Sequence, residues 1–209
     1  MFIQIIQGRC RDTDGVHRLL DEWRDTMGGT APGWLGGTYG ITDDGQFVGV
    51  VRFESREAAA RNSARPEQGE WWSRMEECFD GDVSFHDCDD AMVFLDGGSD
   101  DAGFVQVVQG RLRDPERFRH FMAEPMDMLH EQRPEIIGGT IAIEPDGWFT
   151  ETVSFRSEDE ARTGEAREMP EPMRGQWAEQ MAAMSDVSYL DLHHPWFASA
   201  PVRMPSSGQ

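Results

Sequence analysis

The sequence contains no lysine, so all 19 of its basic residues are arginine. This absence excludes a Schiff-base lysine, the lysine of a phosphate-binding P-loop and the lysine that anchors pyridoxal phosphate. Basic charge is also scarce, because 39 acidic residues give the 209-residue chain a formal net charge of −20. A charge of this sign repels phosphate backbones and anionic lipid headgroups. We therefore expect neither nucleic acid nor a membrane surface as a partner.

Cysteine and long apolar runs are few as well. The three cysteines, Cys10, Cys78 and Cys88, are widely spaced and form no C-x-x-C pair, which is typical of free thiols in a reducing compartment. No basic segment of the kind that opens a signal peptide follows Met1, and no apolar run approaches the roughly 18 residues that span a bilayer. We expect a cytoplasmic protein with a sizeable core, since hydrophobic residues make up 38% of the chain.

The chain repeats itself. Residues 2–9 recur as residues 104–111 with exchanges only between Ile and Val, and this offset of 102 gives 23 identical pairs over the 64 residues from position 2 to 65. Such self-similarity is the sequence mark of a duplicated structural unit. The predicted boundaries are a first repeat at 1–96, a linker at 97–103, a second repeat at 104–196 and a tail at 197–209. We expect the tail to be loosely held or to lie over the surface.

Each repeat has the pattern of a ferredoxin-like unit. Residues 2–9 alternate as a strand, residues 15–27 have apolar side chains at helical spacing, and a turn at 43–45 joins two further strands. Ser55 is a good N-cap for the next helix, and the full order is β-α-β-β-α-α-β. A sheet covered by helices on one face leaves the other face for a second copy. We predict an α+β fold in which the two repeats pack sheet to sheet as an intramolecular pseudo-dimeric barrel. The sequence leaves open whether two such chains form a further homodimer.

Two segments of the first repeat carry a family resemblance. They are residues 32–36, Pro-Gly-Trp-Leu-Gly, at the entry to the second strand, and residues 53–58, Phe-Glu-Ser-Arg-Glu-Ala, at the entry to the following helix. In these segments the unit resembles the dimeric α+β barrel superfamily, especially its antibiotic-biosynthesis-monooxygenase type of domain. The second repeat keeps several of these residues but departs at Glu135 and Ile136.

The resemblance implies a fold and leaves the reaction open, because the superfamily includes cofactor-independent oxygenases, isomerases, haem-degrading enzymes, haem peroxidases and proteins with no known activity. One hypothesis is a cofactor-independent monooxygenase or isomerase acting on a small aromatic or polyketide-like molecule. A non-catalytic small-molecule-binding or stress-related barrel is equally compatible with the sequence. Haem degradation is disfavoured: Asn62, Trp72 and His86 supply the residue types, but Gln4 holds the first-strand position where the haem-degrading enzymes have their Asn.

Candidate site residues are polar or aromatic side chains within this pattern. Arg52, which points away from the apolar face of its strand, is a counter-ion for an anionic substrate or a partner in an ion pair. His86, on the last strand of the first repeat, is an acid or base, or a packed or surface side chain. These two are the catalytic candidates. The ligand-binding candidates are Gln4, Trp34, Thr38, Tyr39, Asn62, Trp72 and Gln106.

The two repeats differ in these candidate site residues. The sequence also gives no sign of a metal or cofactor site. Trp34, Tyr39, Arg52, Asn62 and His86 of the first repeat correspond to Ile136, Ile141, Ser154, Gly164 and Leu190 of the second. We predict that any ligand site belongs mainly to the first repeat, although the differences could also be drift at packing positions. The acidic run at 80–90 lacks the calcium-loop pattern, so we expect a solvated surface there and no bound metal.

Overall fold

The computed structural model describes residues 1–97, 100–122, 133–168 and 171–199. Within them the chain forms ten strands and six α-helices. The strands are β1 (Phe2–Cys10), β2 (Trp34–Ile41), β3 (Gln46–Phe53), β4 (Phe79–Cys88), β5 (Asp90–Phe94), β6 (Phe104–Leu112), β7 (Ile136–Ile143), β8 (Trp148–Phe155), β9 (Met184–Leu192) and β10 (Trp196–Ser199). The helices are α1 (Thr13–Thr26), α2 (Arg56–Ser63), α3 (Pro66–Glu76), α4 (Pro115–Met122), α5 (Glu158–Glu165) and α6 (Glu171–Ala182).

The helices begin where local chemistry favours it. The Asp12 carboxylate accepts a hydrogen bond from the Gly15 amide at the start of α1, at 2.9 Å. The predicted N-cap of α2 is confirmed, because the Ser55 hydroxyl accepts from the Ala58 amide at 3.2 Å. Such caps satisfy backbone N–H groups that have no partner inside the helix. A proline in the first turn of α3 marks the break between α2 and α3.

The strands form two five-stranded antiparallel sheets with equivalent orders. The first sheet is β10-β2-β3-β1-β4, and the second is β5-β7-β8-β6-β9. Strand alternation divides the side chains between two layers: in β1, Phe2 and Ile6 pack under the helices, whereas Ile3 and Ile5 pack against the second sheet. The layer between the sheets is filled by aliphatic side chains of both repeats, among them Val105. The predicted α+β fold, with two ferredoxin-like units packed sheet to sheet within one chain, is confirmed.

The two halves exchange a strand. The β5 strand follows β4 in the first half but pairs with β7 of the second sheet. In return, β10 follows β9 of the second half and pairs with β2 of the first sheet, with Trp196 opposite Tyr39. Residues 197–199 of the predicted tail belong to β10 and cover an edge of β2 that would otherwise be unpaired, and residues 200–209 lie outside the described residues. The boundaries at 96 and 104 stay a prediction; β5 precedes them but pairs with the second sheet, and β10 follows them but pairs with the first.

No helix in the part of the chain that the structure describes is long and apolar enough to cross a membrane.

Candidate functional site

A cavity of about 510 Å³ lies between the first sheet and its helices. Its floor is formed by β1, β2 and β3, its sides by α1, α2 and α3, and one end by β10 from the second half of the chain. Aromatic side chains form much of the wall. The rings that line it are Trp23, Tyr39, Phe53, Trp71, Trp72, Phe85 and Trp196. A concave, mainly apolar cavity with a few polar groups is the usual form of a small-molecule site.

Asn62, at the end of α2, contributes a buried hydrogen-bond donor. Only 4% of this residue is exposed. Its amide oxygen accepts from the Arg65 guanidinium at 3.0 Å, and Arg65 is itself held by the Thr30 hydroxyl at 2.9 Å. Because a guanidinium can only donate, this bond fixes the oxygen toward Arg65 and directs the amide nitrogen elsewhere. That nitrogen has no hydrogen-bond partner among the described residues, and it is free to donate to a ligand.

Tyr39 presents a phenol that stays neutral. Its ring lies across Gly37 and Gly49, where an added Cβ would come within 2.3 Å of the hydroxyl oxygen and 3.1 Å of a ring carbon, respectively. Any larger residue at Gly37 would displace the ring. Burial raises the pKa of the phenol well above its usual range, and the nearby Arg52 only partly opposes this. Tyr39 can therefore exchange hydrogen bonds with a ligand but cannot serve as a base.

Two glutamines complete the polar lining. The Gln68 amide oxygen, on α3, accepts from the Trp23 indole at 2.6 Å, which leaves its N–H groups as donors. The Gln4 amide nitrogen, on β1, donates to Asp87 at 2.8 Å, which leaves its oxygen as an acceptor. The cavity thus offers donors on its helical side and an acceptor on its sheet side, so it matches a ligand that carries both a carbonyl and a hydroxyl oxygen.

The structure brings four of the nine sequence-predicted site residues to this cavity: Gln4, Tyr39, Asn62 and Trp72. Of the adjacent tryptophans on α3, Trp71 is buried and its indole donates to the Leu19 carbonyl oxygen at 2.8 Å. Trp72 is half-buried and its ring lies edge-on to Phe85 at 5.0 Å. Both rings line the cavity, so packing and lining are not exclusive roles for these side chains.

Three other predicted residues of the first repeat lie outside the cavity wall. Trp34 is buried behind it, with its ring 4.8 Å from that of Trp23, and its indole nitrogen has no hydrogen-bond partner within the described ranges. Thr38 lies on the opposite face of β2, paired with Phe197 and Val50. Arg52 lies on that face of β3 too; Asp100 favours its charged form, whereas burial lowers the pKa of its guanidinium.

His86 and Gln106, the last two predicted residues, are engaged elsewhere. His86 lies on the inter-sheet face of β4, where its ring nitrogen Nδ1 is 3.1 Å from the Glu144 carboxylate of the second half. It therefore joins the two halves and does not reach the cavity. Gln106 donates to Asp191 at 3.1 Å in the second sheet, which mirrors the bond between Gln4 and Asp87. The roles predicted for these two residues stay predictions that this placement does not support.

Sequence reasoning missed several residues of the site. His17 on α1 and Trp196 on β10 lie at one end of the cavity with their ring centroids 4.4 Å apart. Gln68 lies among other polar residues of α3, so the pattern of that helix did not single it out. The helical spacing of α1 could have placed His17 one turn from Leu20 on a face that reaches the sheet. Nothing in the local sequence of Trp196 indicates that it joins the first sheet.

The matching region of the second repeat is built differently. Gly164 takes the place of Asn62, and the space is occupied by the carboxylate of Glu135, which is 1.7 Å from where a Cβ of Gly164 would lie. Glu135 is ion-paired with Arg133 and with Arg167, the counterpart of Arg65, so the polar groups satisfy one another. The second repeat thus has the ion-paired Glu135 at the place where the first repeat has the hydrogen-bond donor Asn62.

The second repeat also carries a carboxyl group with no hydrogen-bond partner in the described part of the chain. Glu151 lies on the helix-facing side of β8, opposite Ile141, where the first repeat has Gly49 opposite Tyr39. Desolvation by burial raises the pKa of this carboxyl from 4.5 to about 7. Within the described ranges, no group of three or more His, Cys, Asp or Glu side chains is placed to hold a metal ion.

Comparisons with known proteins agree with this architecture. No protein-family model matches the sequence, and no curated protein sequence matches it either. Among solved structures, a "putative monooxygenase" from Lactobacillus acidophilus NCFM superposes with a TM-score of 0.72 at 10% identity, covering 96% of this chain and 97% of that one. A protein of the same description from Fusobacterium nucleatum gives 0.71 at 8% identity, covering 95% and 94%.

A third solved structure, of an anthrone oxidase-like protein, superposes with a TM-score of 0.64 at 8% identity, covering 99% of this chain and 96% of that one. The chain has the two-unit ferredoxin-like fold of these monooxygenase-like proteins. At such low identity the likeness establishes the fold and carries no residue roles. The resemblance deduced from the sequence is confirmed at the level of the fold.

Proposed function

We propose that the first repeat binds a small, flat aromatic molecule in the cavity and oxidises it as a cofactor-independent monooxygenase. The observation that supports this proposal is the wall of aromatic rings around a space of about 510 Å³, with hydrogen-bonding groups on two sides. The layer between the sheets is packed with aliphatic side chains, so the helix-side cavity is the space in which a ligand would sit. The fold of the monooxygenase-like structures supports the reaction class by analogy only.

Anthrone is a suitable probe because it is flat, aromatic and neutral and carries a single carbonyl oxygen. Asn62 and Gln68 would donate to that oxygen, and the rings of Trp72 and Phe85 would cover the face of the ligand. In the proposed reaction one O₂ converts the CH₂ group of anthrone to a second carbonyl, which gives anthraquinone and one water. A neutral ligand also avoids the repulsion that a net charge of −20 exerts on anions.

Binding is measured by quenching of tryptophan fluorescence, since Trp23, Trp71, Trp72 and Trp196 line the cavity. Asn62→Leu, which keeps the size of the side chain and removes its donor, should weaken anthrone binding about 5- to 10-fold, the usual effect of one buried hydrogen bond. The matched control is Gln106→Leu, which removes a carboxamide from the second repeat and should leave binding unchanged.

Oxidation is measured separately, as O₂ consumption together with the absorbance of anthraquinone. Consumption that exceeds the spontaneous rate and falls in Asn62→Leu would support the enzyme. Saturable binding without O₂ consumption would favour the alternative, a non-catalytic ligand-binding barrel. Absence of binding by anthrone and by related hydroxylated tricycles, or equal affinity in Asn62→Leu and the native protein, would contradict the site.

A further inference from the structure

His17 differs from the other described histidines in its surroundings. His86 is bound to Glu144, and His193 contacts the Glu158 carboxylate at 3.0 Å, so both are engaged in ion-pair geometry. His120 and His194 do not line the cavity. His17 does line it as a solvent-exposed side chain, and neither of its ring nitrogens has a hydrogen-bond partner among the described residues. Imidazole is the side chain that ordinarily changes protonation between pH 5 and 8, so a free imidazole at a ligand cavity is suited to proton transfer.

The position of the His17 ring is set by an element from the other half of the chain. Its centroid lies 4.4 Å from that of Trp196 on β10, with the two ring planes inclined by 43°. Because His17 is exposed as a whole, this contact covers only part of the imidazole and leaves the rest open. The second half therefore supplies the surface against which the imidazole is held at the cavity, through a strand that belongs to the first sheet.

The charged groups around this end of the cavity are already paired with other side chains. From α1 itself, Asp21 accepts from Arg24 at 2.8 Å. From the segment before β6, Asp100 accepts from the Ser199 hydroxyl at 2.7 Å. Helix α3 faces the cavity with the neutral Gln68, and β10 adds only apolar side chains to the wall. Neither carboxylate is hydrogen-bonded to His17, so both ring nitrogens stay available to a ligand.

We propose that His17 accepts a proton from the ligand in the first-repeat cavity. The ligand class is an aromatic compound with an acidic hydroxyl or a CH₂ group next to a carbonyl. In this step the ligand O–H or C–H bond breaks, its electron pair stays on the ligand, and a new N–H bond forms on the imidazole. The products are an imidazolium and a ligand anion whose oxygen accepts from Asn62. This inference rests on the proposed function, because it needs an aromatic ligand in the same cavity.

Alizarin tests the proton transfer without turnover, because its absorbance changes when its 2-hydroxyl ionises. The pH midpoint of bound alizarin is measured in the native protein, in His17→Gln and in the matched control His86→Gln, each saturated with the dye. We expect ionisation in the native complex at a proton concentration about tenfold higher than in His17→Gln. His86→Gln should match the native protein, because His86 lies on the other face of the sheet.

The outcomes are distinguishable. Tight binding with the same ionisation midpoint in His17→Gln and the native protein would overturn the proton-transfer role and leave the proposed function standing. Loss of alizarin binding in a folded His17→Gln, judged by its circular dichroism, would assign His17 a binding role only and also overturn the proposal. Failure of the native protein to bind either alizarin or anthrone would overturn both this inference and the proposed function.

Discussion

Glu151→Gln should stabilise the protein much more at neutral pH than at pH 5. The folded protein raises the pKa of the Glu151 carboxyl from 4.5 to about 7, because burial disfavours the charged form. The folded state therefore holds this proton more tightly than the unfolded state does. The free energy of unfolding must fall as the pH rises from about 4.5 through about 7.

The size of the effect follows from the shift. Each pKa unit corresponds to about 1.4 kcal/mol, so the full shift corresponds to roughly 3.4 kcal/mol of stability, of which about 2.5 kcal/mol is lost between pH 5 and pH 8. Glutamine has nearly the same shape and cannot ionise, so the variant should escape this loss. The difference in unfolding free energy between Glu151→Gln and the native protein should therefore grow by about 2.5 kcal/mol between pH 5 and pH 8.

Urea unfolding followed by tryptophan fluorescence, at four pH values between 5 and 8, measures this difference. Glu70→Gln is the matched control, because Glu70 is an exposed carboxylate on α3. Histidines and the other carboxylates titrate alike in all three proteins, so their contributions cancel. A difference between Glu151→Gln and the native protein that stays constant with pH, or that equals the difference for Glu70→Gln, would refute the reasoning.

The remaining predictions concern the cavity and the exchanged strands. Gly37→Ala should destabilise the protein by about 1–3 kcal/mol in urea unfolding, because its Cβ would displace the Tyr39 ring. Gly29→Ala, where a Cβ meets nothing within 4 Å, should change stability little. Equal effects of the two substitutions would contradict the close packing of the Tyr39 ring on Gly37. Residues 1–96 expressed alone should aggregate or self-associate in size-exclusion chromatography, because they lack β10 and leave β5 without its sheet. A stable, monomeric and fully folded half would contradict this expectation.

The face of each strand could be predicted from the sequence because alternation is a local property. Phe47, Val51 and Phe53 pack under the helices as their spacing in β3 predicts, and Arg52 points to the other side. The same parity placed Gln4 on the helix-facing side, where it reaches the cavity. Local patterns therefore determine which side chains of a strand can line a helix-side site.

The partners of the exchanged strands could not be predicted in this way. Both β5 and β10 are short, and their neighbours β7 and β2 are distant in sequence, so no local pattern records the pairing. This is why sequence reasoning missed Trp196, and with it the setting of His17. Sequence reasoning also gave His86 a catalytic role, because nothing in the sequence of its strand indicates that a carboxylate from the other half lies beside it.

The strand exchange also determines the order in which the site can be assembled. Trp196 pairs with Tyr39, about 160 residues earlier in the chain, so this contact closes a long loop and has a larger entropic cost than a local contact. Nearly the whole second half must be synthesised and leave the ribosome before β10 can pair with β2. A chain interrupted before this strand can form most of the first sheet but has one end of its cavity open. Occupation of the cavity by a ligand would then report that synthesis has proceeded through both halves.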